Sequence, residues 1–138
     1  MKRDNQAATA RRGAEAVGPA NVLVVDDDPA VLRMIGTLLE HHGCRVITAS
    51  NGLEAIAMHI GHGDVDLIVS DIDMPEMDGL TMCEYLDGHR DGATVILISG
   101  LEVDPDRICE KSESVVGFLS KPFAIEDLLT TAGRAIAH

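Results

Sequence analysis

The sequence predicts an α/β domain in which five strands and five helices alternate and the strands form one doubly wound parallel sheet. Short, mainly apolar runs recur five times from Asn21 onward, which is typical of parallel strands buried on both faces. Helix-start signals follow the runs, and the connections are short. Five such units imply right-handed crossovers with helices on both faces of the sheet.

The first strand is predicted over residues 22–25, which are all apolar. Asp28 and Pro29 then start the first helix, with the aspartate as N-cap and the proline at the first helical position. Gly43 is suited to the left-handed conformation that ends a helix. The apolar stripe of this helix comprises Val31, Ile35, Leu38 and Leu39.

The second strand is shorter and is predicted over residues 44–49, where Arg45 indicates a position at the edge of the sheet. Asn51 and Glu54 resemble a capping box and start the second helix. The Gly-His-Gly run at 61–63 is expected to end that helix.

The third strand is predicted over residues 65–70. After it, the pair Asp78-Gly79 interrupts the chain, and Asp78 is expected to cap a third helix over residues 80–86. Residues 94–98 are the most β-branched run and predict the fourth strand.

The last two helices flank the fifth strand, which is predicted over residues 115–119. Asp104 and Pro105 repeat the cap-then-proline pattern and open a short fourth helix to about residue 112. The last helix is predicted over residues 125–136. Its inward side chains are expected to be Leu128, Leu129 and Ala132.

The length of 138 residues suits one domain, residues 21–138, preceded by a tail. Residues 1–20 have no apolar periodicity and are predicted to be disordered. The net charge of −12 argues against direct nucleic-acid binding, and no apolar run is long enough for membrane insertion. Three dispersed cysteines indicate reduced thiols in a cytoplasmic protein.

Four charged residues lie where predicted strands end. Asp26 and Asp27 follow the first strand, Asp71 follows the third and Lys121 follows the fifth. Because parallel α/β sheets place ligands at the carboxyl ends of their strands, we expect these groups to be neighbours. Each close carboxylate pair would repel by about 4 kcal/mol at an effective dielectric constant near 20. Protonation or a bound cation would relieve that repulsion, and oxygen ligands suit Mg²⁺.

The lysine and a cation beside an ionised carboxylate would form a pocket for a transferring phosphoryl group. Asp71 is the candidate nucleophile, because carboxylates form acyl-phosphate intermediates.

Four segments carry a resemblance to a known family. They are residues 22–29 (VLVVDDDP), residues 71–79 (DIDMPEMDG), Ser99-Gly100 and Lys121-Pro122-Phe123. In this order and at this spacing they resemble the receiver domain of two-component response regulators. The resemblance implies a flavodoxin-like fold with strand order 2-1-3-4-5.

The resemblance also implies roles for the acidic residues. Asp71 matches the phosphorylated aspartate, and Asp27 matches the direct Mg²⁺ ligand. Asp26 matches the water-mediated helper of that ion, and Asp73 matches the residue whose backbone carbonyl completes the coordination.

Four further positions match the residues that sense the phosphoryl group. Ser99 matches the hydroxyl residue that turns towards the phosphate, and Lys121 matches the lysine that pairs with it. Pro122 matches a proline that usually follows a cis peptide bond, and Phe118 matches the aromatic switch residue.

The function that the resemblance implies is a stand-alone, phosphorylation-controlled switch, without enzymatic activity beyond self-catalysed phosphotransfer and autodephosphorylation. A sensor histidine kinase or a histidine phosphotransfer protein would supply the phosphoryl group. The surface of the fourth helix, fifth strand and fifth helix would then regulate a downstream effector protein.

Two alternatives remain from the residues alone. Asp71-Ile72-Asp73 after an apolar strand also resembles the nucleophile motif of haloacid-dehalogenase-type phosphatases, but the usual threonine after the second aspartate is missing. The other alternative is an interaction module of the same fold that works without phosphorylation.

Overall fold

The computed structural model describes residues 20–62, 64–74, 77–87, 93–100 and 112–137. The strands in these ranges are β1 (Asn21–Val25), β2 (Arg45–Ala49), β3 (Leu67–Asp71), β4 (Thr94–Ser99) and β5 (Val115–Ser120). The helices in the same ranges are α1 (Pro29–His41), α2 (Gly52–His62), α3 (Gly79–Asp87) and α4 (Ile125–Ala137).

The five strands form one sheet in the order β2-β1-β3-β4-β5, and every neighbouring pair is parallel. This confirms the predicted doubly wound sheet and the edge position of β2. The predicted helix between β4 and β5 and the predicted N-terminal tail lie outside the described residues. No helix in the described part of the chain is long and apolar enough to cross a bilayer.

The core has two halves, one on each face of the sheet. On one face, Ile35 and Leu39 of α1 and Leu128 of α4 pack against Val22, Val24 and the strand residues beside them. On the other face, α2 and α3 cover Leu23 and Val25. Alternate residues of one strand therefore enter different halves of the core. Each fully buried aliphatic side chain contributes about 1.5–3 kcal/mol.

The predicted helix signals at Asp28, Gly43 and Asp78 are confirmed. The Asp28 side chain accepts a hydrogen bond from the Ala30 N–H at 2.9 Å. The Asp78 side chain accepts one from the Thr81 N–H at 2.8 Å. Gly43 has φ 96°, a conformation that residues with a Cβ rarely adopt.

Some element boundaries differ from the predicted ones, and hydrogen bonds accompany two of these differences. Cys44 does not belong to β2, because its N–H donates to the Leu39 carbonyl in the turn that ends α1. β3 begins two residues later than predicted and includes Asp71. Asp66 precedes the strand, and its carboxylate accepts from the Asn21 N–H at 2.9 Å. α2 ends at His62, within the Gly-His-Gly run that was expected to end it.

Candidate functional site

The carboxyl ends of the strands bring the predicted site residues to one edge of the sheet. Asp71 is the last residue of β3 and pairs with Ile98 of β4. Ser99 ends β4 and pairs with Ser120, which directly precedes Lys121. Asp26 follows β1, the neighbour of β3 on its other side.

Three carboxylates converge at this edge. One carboxylate oxygen from each of Asp26, Asp27 and Asp71 lies within 4.8 Å of the others. Asp26 and Asp71 are only 2% and 6% exposed, whereas Asp27 is exposed. The Asp28 N–H donates to Asp26 Oδ1 at 2.9 Å and so helps to orient that carboxylate. The arrangement is a compact, oxygen-rich group of the kind that holds a hard divalent cation.

Lys121 supplies the positive charge of the site. Its Nζ lies 3.3 Å from Asp26 Oδ2 and 3.7 Å from Asp71 Oδ1. The Lys121 backbone N–H donates to the Ser99 carbonyl at 2.7 Å, which attaches the end of β5 to the end of β4. The Lys121–Pro122 peptide bond is cis. One ammonium group therefore contacts two of the three carboxylates.

The electrostatics of the site leave Asp71 with a destabilised negative charge. Burial and the nearby Asp26 carboxylate raise the pKa of Asp71, although Lys121 and a hydrogen bond from the Asp73 backbone oppose the shift. Burial lowers the pKa of Lys121, but Asp26 and Asp71 outweigh it and the net shift is upward. One lysine does not neutralise three carboxylates, so a bound cation would stabilise the ionised form of Asp71.

Asp73 is placed differently from the other acidic residues. Its side chain is exposed, and its backbone, not its carboxylate, contacts Asp71. The Asp73 carboxylate does not belong to the group of three. Any contribution of Asp73 to a metal site therefore depends on the position of the connection between β3 and α3.

Ser99 and Phe118 lie on the same face of the sheet. Phe118 is half-buried, pairs with Leu97 and packs against the core half on the α2 and α3 side. Leu97 enters that same half of the core, and Ser99 is two residues further along β4, so their side chains share a face. Ser99 is 1% exposed. The two side chains therefore lie on one face of the sheet, on neighbouring strands.

Gly79 is a site residue that the sequence analysis treated only as part of a turn. A Cβ atom there would lie 2.5 Å from the Asp71 carbonyl oxygen and 3.1 Å from Ile72 Cα. The Gly79 N–H also donates to the Ile72 carbonyl at 2.9 Å. The first residue of α3 thus packs directly on the backbone of Asp71. The Asp-Gly pair before a predicted helix was the one signal for it in the sequence.

Comparison with known families identifies the response regulator receiver domain over residues 22–132. The matched range contains every site residue described above. The chain therefore belongs to the response regulator receiver family, whose members are regulatory phosphoacceptor domains and not conventional enzymes. Its function is phosphorylation-controlled signalling. The family match favours this reading over the alternative of a haloacid-dehalogenase-type phosphatase.

Curated relatives agree with this assignment. Transcriptional regulatory protein GlrR of Escherichia coli (strain K12) is 34% identical over 124 residues, which are 85% of this chain and 28% of GlrR. Response regulator MprA of Mycobacterium sp. (strain KMS) is 33% identical over 111 residues, which are 80% of this chain and 48% of MprA. The chain thus spans less than half the length of both relatives.

A solved structure has the same fold. The CheX-CheY-BeF3-Mg+2 complex from Borrelia burgdorferi contains a chain that matches with a TM-score of 0.76 and 30% identity. The match covers 82% of this chain and 86% of that chain.

Proposed function

We propose that this domain is a switch that accepts a phosphoryl group on Asp71 from a phosphohistidine. The donor is a sensor histidine kinase or a histidine phosphotransfer protein. The observation that carries the proposal is the approach of Asp26, Asp27 and Asp71 to within 4.8 Å, with Lys121 Nζ 3.7 Å from Asp71 Oδ1. We take Asp71 as the nucleophile because it ends β3, the central strand of the sheet, with two other carboxylates and the Lys121 ammonium group beside it.

Asp26, Asp27 and Asp71, with the backbone of Asp73, would hold Mg²⁺. The raised pKa of Asp71 shows that an ionised carboxylate there is unfavourable without another cation, so these residues fit the ion. Bound Mg²⁺ would neutralise negative charge on the phosphoryl oxygens. The Mg²⁺ in the complex of the Borrelia relative supports the choice of metal.

The transfer is a displacement at phosphorus. A carboxylate oxygen of Asp71 forms the new P–O bond, the P–N bond to the donor imidazole breaks, and its electron pair returns to the nitrogen. Lys121 attracts the incoming phosphoryl group and favours the ionised, nucleophilic form of Asp71.

The phosphoryl group then changes a protein-binding surface. The Ser99 hydroxyl donates a hydrogen bond to it, and Phe118 moves into the space that Ser99 leaves. The surface that responds includes β5, the last helix α4 and the helix that is predicted between β4 and β5. This surface regulates an effector protein.

We place this function in the cytoplasm. Burial raises the pKa of the Cys44 thiol to about 11 and that of Cys83 to about 12, and both cysteines are free. Free, protonated thiols agree with a reducing compartment.

A small acyl phosphate tests the proposal. Wild-type protein with Mg²⁺ and acetyl phosphate should gain one phosphoryl group per chain, measured by intact-mass spectrometry, and Asp71→Asn should gain none. Removal of Mg²⁺ with a chelator should abolish the reaction. Phosphate on any residue other than Asp71, or repeated turnover of a phosphomonoester, would contradict the proposed function.

A further inference from the structure

The first turn of α2 lies against the connection between β3 and α3, and Gly52 is at the point of contact. A Cβ atom at Gly52 would lie 2.7 Å from the Met77 carbonyl oxygen and 3.0 Å from the Met77 Cβ and Cγ atoms. The nearest of these is a backbone atom, which cannot rotate away as a side chain can. Any side chain at position 52 must therefore displace either the connection or the helix.

The turn that carries Gly52 is held firmly on its other side. The Glu54 N–H donates to Asn51 Oδ1 at 2.8 Å, and the Ser50 N–H donates to Glu54 Oε1 at 2.6 Å. This is the predicted capping box, with its return bond one residue earlier than in the usual form. The Ala49 carbonyl accepts from the Asp26 N–H at 3.2 Å. The turn is thus attached to the acidic site, and the connection is the part that has to give way.

Met74 and Met77 are the described residues of the connection that follow Asp73 and lie in the core. Met74 is buried, and Met77 packs against the same half of the core as Met74 and Ala55 of α2. Asp73 directly precedes Met74, and its backbone hydrogen-bonds to the Asp71 carboxylate. We therefore expect a displacement of Met77 to reach Asp73 through Met74, which belongs to the same half of the core.

We propose that Gly52 is a positioning residue for the metal and phosphoryl site, acting through Met77. Because position 52 has no side chain, the first turn of α2 can hold the connection where the Asp73 backbone meets Asp71. Gly52 itself contacts neither the ion nor the phosphoryl group. This inference rests on the proposed function, since it assumes that Mg²⁺ binds at these residues.

The test is the Mg²⁺ affinity of the full chain with Gly52→Ala, measured by calorimetric titration. We expect the dissociation constant to rise about tenfold, the lower end of the range for residues that orient metal ligands. Gly36→Ala is the matched control, because a Cβ there would meet only Val46 Cγ1 at 3.5 Å. Alanine favours helix at both positions, so the control isolates the contact with Met77. Gly36→Ala should bind Mg²⁺ as the wild type does.

Met77→Ala is a second variant, and unlike Gly52→Ala it adds no atoms to the contact between α2 and the connection. It shortens the side chain that meets Gly52 and loosens the connection, so the dissociation constant should again rise. Circular dichroism and the urea midpoint of each variant show whether it is folded. Wild-type affinity in a folded Gly52→Ala overturns the inference, as does wild-type affinity in Met77→Ala if Gly52→Ala does not fold.

Failure of the proposed function gives a different result. In that case the wild type would bind no Mg²⁺, or Asp27→Asn would leave its Mg²⁺ binding unchanged. Binding that is lost in Asp27→Asn but unchanged in Gly52→Ala leaves the proposed function intact and overturns only the role of Gly52.

Discussion

At the scale of single residues, Asp71 is held in an environment that opposes its own charge. Burial and Asp26 raise the pKa of Asp71, and Lys121 only partly compensates. A bound cation stabilises the ionised form of such a buried carboxylate more than it stabilises that of a carboxylate in solvent. The repulsion that disfavours ionised carboxylates side by side would therefore make the site responsive to a metal ion.

Asp71→Asn should stabilise the domain at neutral pH when divalent cations are absent. The raised pKa of Asp71 means that the folded state binds a proton more readily than the unfolded chain. Wild-type stability therefore falls as the pH rises from the ordinary value of 3.8 through the raised pKa. The advantage of Asp71→Asn should shrink as the pH falls towards 3.8, which urea unfolding in EDTA would measure.

The control for that experiment is Glu84→Gln, which removes one negative charge from an exposed position on α3. It should not reproduce the pH dependence. If Asp71→Asn were less stable than the wild type at neutral pH without Mg²⁺, the electrostatic account of the site would be wrong.

Lys121→Ala should separate phosphorylation from its effect on the surface. Asp71 and the proposed metal ligands remain, so acetyl phosphate should still label the protein, at a rate lowered by about 100-fold. The loss of the ammonium group near Asp71 should prevent the change around Phe118. Phosphorylation-dependent NMR shifts of Val116 and Phe118 would measure it. Arg134→Ala, at an exposed position of α4, should keep both properties.

At the scale of elements, the first residues of α2 and α3 determine how closely these helices approach the end of β3 and the connection after it. α3 begins with Gly79, whose backbone packs on the Asp71 and Ile72 backbone. α2 begins with Gly52 against Met77. At each position, a backbone carbonyl oxygen of another segment lies where a Cβ atom would be. Only glycine therefore lets the two segments pack this closely.

Gly79→Ala should destabilise the fold by about 1–3 kcal/mol, the usual cost of forcing an extra methyl group into filled space. The nearest atom to the new Cβ, at 2.5 Å, is the Asp71 carbonyl oxygen, which cannot move without distorting the end of β3. Urea unfolding would measure the loss. Gly36→Ala, with ordinary contact distances, should lose no stability. Equal stability of the two variants would show that the close approach is not a constraint.

At the scale of the whole molecule, the charge of −12 favours cations over anions at the surface. Strands from distant parts of the chain bring Asp71 to the same edge of the sheet as Asp26 and Asp27. General screening and specific binding of a metal ion should therefore both stabilise this domain, by different mechanisms.

Mg²⁺ should raise stability by about 2.7 kcal/mol at a free concentration 100 times its dissociation constant. Choline chloride at matched ionic strength should give a smaller increase, since it only screens repulsion. Asp27→Asn should lose most of the Mg²⁺ effect and keep the effect of choline chloride. Equal responses of both proteins to Mg²⁺ would indicate screening without a site.

The order of elements and the edge that carries the site were predictable from local patterns. Apolar runs, caps such as Asp28 and the left-handed Gly43 are local signals, and the structure confirms them. The boundary at Asp66 was not, since its carboxylate accepts a hydrogen bond from Asn21, which lies 45 residues away in the chain. Such hydrogen bonds join residues whose proximity is a result of folding.

The sequence by itself determined which chemical groups this protein brings to the carboxyl edge of its sheet, because strand ends are encoded by local patterns. Only the tertiary structure decided how close Asp26, Asp27, Asp71 and Lys121 come, and therefore the direction in which the pKa of Asp71 shifts. It alone also showed how closely Gly52 approaches Met77 and Gly79 approaches the Asp71 backbone. Electrostatic repulsion and steric exclusion depend on distances between atoms far apart in the chain, and folding sets those distances.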